Sequence, residues 1–228
     1  MTTDYRGGFS LYKKIALSTA LLLCLLSGCF GPKPEEEVYA VFEDAVKQER
    51  TLFEEAKALA ALEQENAQLY DSILQGGQED SDQVKGTVEQ ALQGLKERTN
   101  ILAKEQTALE KARSKMKEAD QHIRKIEDKK LRKQAEKVVS LYEERFTAFV
   151  HMHEAYGKAL ASEEKLYGML QTKTEKLKTI TDQVQEVNGL YADMRTNNEA
   201  FNQLTQQYNQ EKVRFYKQAN FRIEEKIK

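Results

Sequence analysis

The residue whose chemistry is easiest to specify is Cys29, a thiol that follows Leu26, Ser27 and Gly28. Small residues directly before a cysteine, at the end of an apolar run, are typical of a bacterial lipobox. In such a motif the peptide bond before the cysteine is cut and the thiol sulfur receives a lipid. We therefore predict cleavage between Gly28 and Cys29, and lipid attachment at Cys29.

The segment before this cysteine has the composition of a secretory signal. A basic leader that contains Lys13 and Lys14 precedes an apolar run of twelve residues, 15–26. Such a run is too short to span a bilayer as a stable helix. We predict that residues 1–28 are a signal peptide that is removed and that residues 29–34 are the lipidated cysteine and a short tether. The mature protein should then be anchored by its lipid on the outer face of the cell membrane.

The remaining histidines and carboxylates have spacings that offer little chemistry. His151 and His153 are two residues apart, which puts them on different faces of a helix. Glu118 and His122 are four residues apart, but no second pair completes a metal site. Glycine-rich phosphate loops and nucleophile motifs do not occur in the sequence. The sequence thus predicts a protein that is not an enzyme, with no metal and no cofactor.

The amino-acid composition is that of long helices. The chain has only two prolines, both before residue 35, and charged residues make up 32% of it. Removal of the predicted signal peptide leaves 32 basic against 36 acidic residues, a net charge of −4, so we expect no binding to nucleic acid. No disulfide is expected either, because Cys24 leaves with the signal peptide and Cys29 is lipidated.

Apolar residues recur at the heptad spacing of packed helices in four successive segments. They predict an all-α fold over residues 35–228, namely a long antiparallel up-and-down four-helix bundle with coiled-coil-like packing. Asn66 is a polar exception in the first series. The series are Val38, Ala45, Leu52, Leu59 and Ile73; Val88, Leu95, Leu102, Leu109, Met116 and Ile123; Leu131, Val138, Met152 and Leu166; and Ile180, Val187, Met194, Phe201, Tyr208 and Phe215. Second columns run beside them, with Ala91, Ala112, Ala119 and Ile126 in the second segment and Ala135, Tyr142, Phe149, Tyr156 and Leu170 in the third.

The turns between these segments differ in how clearly the sequence marks them. Gly76 should end the first helix. If the heptad spacing of the second series continued without a break, three lysines would be buried in the core. The heptad phase must therefore change near residues 127–130, and Asp128 is suited to cap the helix that begins there. A fused second and third helix that dimerises is the alternative. Thr172 and Glu175 have the spacing of a capping box before the fourth helix.

The most basic stretch of the chain lies between the second and third segments. Since only residues 30–34 separate the lipid from the first helix, and the second helix returns toward its start, this turn should lie near the lipid headgroups. We expect it to contact an anionic membrane surface, and a solvated helix end without that role is the alternative. Its basic residues are Arg124, Lys125, Lys129, Lys130, Arg132, Lys133 and Lys137.

Of five tyrosines in the helical segments, most lie on or beside the apolar series. Tyrosines can stack on sugar rings, but residues at these positions are expected to pack in the core with the hydroxyl group at its boundary. The five are Tyr142, Tyr156, Tyr191, Tyr208 and Tyr216.

Four segments of the sequence together resemble a known family. A lipobox leads into residues 34–37 (PEEE), a central block covers residues 133–146 (KQAEKVVSLYEERF), and residues 201–203 (FNQ) and 211–216 (EKVRFY) follow. In these features the chain is similar to the YkyA-type cell-wall-binding lipoproteins of Gram-positive bacteria. The resemblance covers essentially the whole mature chain, and it implies a four-helix up-and-down bundle and a surface lipoprotein.

The leading hypothesis for function is therefore a non-enzymatic envelope lipoprotein that binds the cell wall, or scaffolds envelope proteins, through its helix faces. Its expected partners are the membrane, through the lipid, and peptidoglycan or another envelope protein. One alternative is a helical adaptor that regulates a membrane protein. Another is a carrier that opens to admit a hydrophobic ligand between helices, for which Met152, Met169 and Met194 would give adaptable packing.

Overall fold

The computed structural model describes residues 31–76, 82–172 and 175–221, in which the regular secondary structure is helical. The prediction of an all-α fold is confirmed for these residues. None of their helices is both long and apolar enough to cross a membrane. The predicted signal peptide, with Gly28 and Cys29, lies outside the described residues. The helices are α1 (Pro34–Gln48), α2 (Leu52–Gly76), α3 (Asp82–Lys117), α4 (Ala119–Ile123), α5 (Lys129–Thr172) and α6 (Leu177–Gln218).

The first predicted segment is two helices rather than one. α1 ends at Gln48, and turn residues 49–51 separate it from α2. Neither glycine nor proline marks this break. A distant side chain holds it instead, because the guanidinium of Arg145 in α5 binds both carboxylate oxygens of Glu49, at 2.7 and 2.9 Å. A break that depends on a partner so far along the chain is not visible in local sequence.

The predicted change of phase between the second and third segments is confirmed. α4 ends at Ile123 and α5 begins at Lys129, so a continuous rod through this region is wrong. Oδ1 of Asp128 accepts hydrogen bonds from the backbone N–H groups of Lys130 at 2.7 Å and Leu131 at 3.2 Å. Asp128 thus satisfies two donors that the first turn of a helix leaves without an intrahelical partner.

The predicted capping box before the last helix is wrong. Thr172 is the final residue of α5, and its hydroxyl donates to the carbonyl of Met169 at 3.3 Å. α6 begins at Leu177, and the residue before it, Lys176, makes no side-chain capping bond. A threonine hydroxyl bonds a carbonyl of the preceding turn as readily as it caps a new helix, so spacing alone did not decide between the two.

Successive segments run antiparallel, as the residues in contact show. Glu37 at the start of α1 contacts His122 near the end of α4, whereas Asn66 in α2 donates to the carbonyl of Ala91 early in α3. α3 reverses against α5 in the same way, and α5 against α6. We call the end that holds the start of α1, α4 and the end of α6 the proximal end. The opposite end, where α2 and α5 finish, is the distal end.

The core consists of three clusters of buried apolar residues, and the first segment covers them unequally. All six members of the second apolar series are at most 4% exposed. At the proximal end α1 packs on α6 through aromatic rings, with Phe42 and Phe215 edge to face at 5.6 Å between centroids. Further along, Leu52 and Leu59 of α2 are only partly buried. The first segment therefore closes on the last at the proximal end and covers the core less completely beyond it.

Candidate ligand-binding groove

A groove runs between α2 and α6 in the distal half of the molecule. α2 packs mainly on α3, and α6 mainly on α5, so the two outer helices stand apart. Two cavities of about 510 and 300 Å³ lie along the gap and share Glu63, Met194 and Asn198 as lining residues. Small side chains of α2 (Ala56, Ala60 and Ala67) line the gap and leave it unfilled. We call these two joined cavities the distal groove.

A buried arginine lines the larger cavity of the distal groove. Arg98 of α3 is 2% exposed, and its Nη2 binds Oε2 of Glu163 in α5 at 2.8 Å. Its Nη1 donates to the hydroxyl oxygen of Tyr191 in α6 at 2.8 Å, and that hydroxyl in turn donates to Glu163. Burial is the largest single influence and acts to lower the pKa of Arg98, but the Glu163 carboxylate together with Tyr191 and Tyr156 raises the pKa overall, so the guanidinium stays charged.

A buried amide completes this group. Asn66 of α2, the polar exception in the first apolar series, donates through Nδ2 to the carbonyl of Ala91 at 3.3 Å and to Oε1 of Glu163 at 3.5 Å. Its side chain lies against Gly94, where an added Cβ would be 2.2 Å from Oδ1 of the amide. Glycine at this position of α3 is therefore needed for the close approach of α2. We call Asn66, Arg98, Glu163 and Tyr191 the Arg98 cluster; each of the four predicted segments supplies one member.

One donor of the Arg98 cluster has no acceptor. Nε of Arg98 is buried and finds no hydrogen-bond partner among the described residues. The second buried arginine, Arg145, is different: its Nε donates to the hydroxyl of Thr205 at 2.8 Å and its two Nη atoms bind Glu49. The guanidinium of Arg145 also lies over the ring of Phe201 at 4.9 Å. Arg145 is thus fully used in holding the structure, whereas Arg98 retains a donor.

The smaller cavity carries two carboxylates on its wall. Glu63 of α2 accepts a hydrogen bond from the hydroxyl of Tyr156, and Glu105 of α3 is 7% exposed. Burial, together with the nearby carboxylates of Glu55 and Glu63, raises the pKa of Glu105 to about 7. At neutral pH this carboxyl is therefore divided between its charged and neutral forms.

The rim of the distal groove combines amides with apolar side chains. Asn188 and Asn198 of α6 present groups that both donate and accept hydrogen bonds. Met152 and Met194 give the walls flexible apolar surface. Tyrosines 70, 167 and 191 line the larger cavity as well. A site of this kind can bind a ligand that has both apolar faces and hydrogen-bonding groups.

Four of the five predicted tyrosines pack in the core as expected, but the hydroxyl of Tyr208 is buried instead of lying at the core boundary, and it has no hydrogen-bond partner among the described residues. Tyr142, Tyr156, Tyr208 and Tyr216 are buried in the core. Tyr191 is partly buried and lines the distal groove. Three of the hydroxyls donate to carboxylates of the first segment: Tyr142 to Glu49, Tyr156 to Glu63 and Tyr216 to Glu43.

The basic residues that were expected to meet the membrane lie together at the proximal end. They occupy the turn after α4 and the first turns of α5. All are exposed except Arg132, which is partly buried. Lys137 donates to Oε1 of Glu211 in α6 at 2.8 Å, so part of this charge is neutralised within the protein.

The histidines are separate from the distal groove. His151 is exposed, and His153 bonds the backbone carbonyl of Leu102 at 3.0 Å. Within the described part of the chain, no three histidine, cysteine, aspartate or glutamate side chains are grouped so that they could hold a metal ion.

Sequence reasoning missed the Arg98 cluster, although a signal for it existed. The column Ala91–Ala112 of α3 skips two heptad positions, and these are Arg98 and Glu105. The second column of α5 likewise skips Glu163, between Tyr156 and Leu170. A charged residue in step with an apolar column is expected to face the core, where it needs a partner.

The structure is an elongated all-helical domain with a groove between helices above a buried charged cluster. It therefore belongs to the class of helical proteins in which side chains of several helices form the candidate site. Comparison with known proteins narrows this class. The chain belongs to the YkyA family, since residues 33–218 match the family described as "Putative cell-wall binding lipoprotein". This result confirms the resemblance seen in the sequence. A lipoprotein family indicates a membrane-anchored location in the cell envelope.

Two individual proteins are similar to this chain, one in sequence and one in fold. The chain is 28% identical over 210 residues to "Uncharacterized lipoprotein YkyA" of Bacillus subtilis (strain 168), an alignment that covers 92% of this chain and 94% of that protein. Its fold is similar to the crystal structure of a conserved protein of unknown function from Staphylococcus aureus, with a TM-score of 0.70 at 17% identity. That match covers 83% of this chain and 98% of the other. At this identity it supports the fold alone.

Proposed function

We propose that this protein is a non-enzymatic lipoprotein, anchored through Cys29 on the outer face of the cell membrane, that binds the cell wall through the distal groove. The observation that carries the proposal is the groove itself, which lies over a buried charged cluster with an unused donor. The family description supports the cell wall as the target. The lipobox supports the anchor.

The proposed architecture is a long up-and-down four-helix bundle in which α1 with α2, and α3 with α4, each act as one rod. Heptad spacing and the antiparallel contacts support it. In this arrangement the lipid holds the proximal end at the membrane. Asn66 lies 32 residues beyond Pro34, which corresponds to about 45 Å of helix. The distal groove would then be presented to the wall and not to the lipid.

The basic proximal end fits the same orientation. We propose that residues 124–137 contact anionic lipid headgroups and so keep the bundle upright on its anchor. Replacement of Lys129, Lys130 and Lys133 by glutamate should lower the affinity for anionic vesicles and leave binding to neutral vesicles unchanged. Lys137 is left in place because it pairs with Glu211. Equal affinity of the parent and the variant for anionic vesicles would show that this end is only a solvated turn.

Wall binding can be tested by cosedimentation of the full-length lipidated protein, in detergent, with purified cell-wall sacculi. The Asn188→Trp variant places a large side chain at the rim of the distal groove and should lower the bound fraction more than tenfold. Asn209→Trp is the matched control, because Asn209 is exposed on the same helix three heptads away and lines neither cavity of the distal groove. Equal binding by the two variants would contradict the proposal, as would release of soluble wall fragments, which would indicate catalysis.

A hydrophobic carrier is the second candidate, and one observation favours it. Met152 and Met194 line the distal groove, as expected if an apolar ligand entered between the helices. Met169 does not line it. Native mass spectrometry of protein purified from membranes separates the two functions, because a carrier retains a second lipid in addition to the anchor.

A further inference from the structure

The Nε donor of Arg98 is buried, and the described residues do not supply an acceptor for it. A buried donor without a partner destabilises the folded state, so most buried donors are satisfied by protein, water or ligand. Arg145 shows that this fold can satisfy all three nitrogens of a buried guanidinium when the role is structural. Arg98 satisfies only two and lines a cavity. A ligand oxygen is the acceptor that fits.

The charges around the larger cavity favour a neutral ligand. Glu63 and Glu163 stand there against Arg98 and Arg195, so the formal charge of the lining is zero. An anionic ligand near Arg98 would meet Glu163, which already holds the guanidinium. A cationic ligand would meet Arg98 itself. The ligand oxygen that accepts a hydrogen bond from Arg98 is thus that of a carbonyl or hydroxyl group and not that of a carboxylate or phosphate.

The remaining lining narrows the ligand class further. Carboxylates beside a donor suit a group that carries both an acceptor oxygen and an N–H, which is the arrangement of an amide. Tyrosine rings suit the apolar faces of sugar rings, and the amides of Asn188 and Asn198 suit hydroxyl groups. A volume of about 510 Å³ lies within the range of small-ligand sites.

We propose that the distal groove recognises an N-acetylated amino sugar of a glycan strand, with Arg98 donating to the acetamido carbonyl oxygen. Glu63 accepts from the acetamido N–H, and the tyrosines of the larger cavity pack on the sugar rings. This inference rests on the proposed wall-binding function and adds the chemical class of the ligand. Because both the ligand and the lining of the larger cavity have no net charge, the binding affinity changes little with salt concentration.

The test is isothermal titration calorimetry of the full-length protein in detergent with two neutral β-1,4-linked tetrasaccharides. One is the tetramer of N-acetylglucosamine and the other is cellotetraose, which has the same linkage and no acetamido group. We expect at least tenfold tighter binding of the acetylated tetramer. Arg98→Lys should reduce this preference at least fivefold, since lysine keeps the charge and removes Nε.

A second variant keeps the test decisive if Arg98→Lys unfolds. Asn188→Ala changes an exposed rim residue and should weaken binding of the acetylated tetramer at least threefold, whereas Asn209→Ala should not. Equal affinity for the two tetrasaccharides would overturn the inference, and so would a lipid retained in the groove. If sacculi still bind in a manner blocked by Asn188→Trp, the wall-binding function stands while acetamido recognition fails. If sacculi do not bind at all, both the proposed wall-binding function and the recognition of the acetamido group fail.

Discussion

Removal of the charge on Glu163 is the sharpest test of the buried ion pair. Glu163→Gln keeps the size of the side chain but leaves Arg98, which is 2% exposed, without its counter-charge. Breaking a buried pair from one side typically costs about 3–5 kcal/mol. Glu163 also accepts from Tyr191 and Asn66, and these bonds become weaker when the acceptor is neutral. We therefore expect a loss of about 4 kcal/mol in the free energy of unfolding.

Urea denaturation followed by circular dichroism at 222 nm measures this loss through the shift of the midpoint. Glu164→Gln is the matched control, because Glu164 is the next residue in the chain and its carboxylate is exposed. This variant should change the free energy of unfolding by less than about 0.5 kcal/mol. The double variant Arg98→Met with Glu163→Leu removes both charges and should recover at least half of the loss. A cost below about 1 kcal/mol for Glu163→Gln would refute the reasoning. A double variant less stable than the single one would also refute it.

Three further predictions follow from the structure. Burial and neighbouring carboxylates raise the pKa of Glu105 from 4.5 to about 7. Between these two pH values the Glu105 carboxyl keeps its proton in the folded protein, whereas the same carboxyl in the unfolded chain has lost it. Stability should therefore fall as pH rises from 4.5 to 7, by at most about 3 kcal/mol, and Glu105→Gln should remove this component from urea midpoints measured at pH 5 and 8. Gly94→Ala should lower the melting temperature, since its Cβ would lie 2.2 Å from a buried amide oxygen, whereas Gly157→Ala, with nothing within 4 Å, should raise it. Asp128→Ala should cost about 1 kcal/mol of unfolding free energy through the lost cap, and Glu127→Ala clearly less; equal losses in urea denaturation would exclude the cap.

Much of the architecture was readable from the sequence because it depends on local pattern. The heptad series of the second segment lies in the core at every position, and Asp128 caps α5 as expected. The break at residues 49–51 was not readable. Its residues have no helix-breaking character, and the bond from Arg145 that holds Glu49 there crosses 96 positions of the chain. A local pattern carries no record of such a partner.

The candidate site was only half visible. Arg98, Glu105 and Glu163 stand in step with apolar columns, which is a signal for charges in the core, but the predictions from the sequence did not include them. Which charge meets which was not shown, because helix register sets the pairing. The predictions of the lipid site at Cys29 and of the membrane contact by the basic turn remain predictions, since the described residues do not test them.

The sequence by itself determined the helical fold, the spacing of the core positions and the place where the second and third segments separate. These properties follow from interactions within one or two turns of a helix, which every segment carries in its own residues. Only the tertiary structure decided that α2 stands apart from α6, and that Arg98 pairs with Glu163 and Tyr191 while one of its donors stays unused. Those properties depend on the volumes and charges that four separate segments bring to one place, and no single segment contains them.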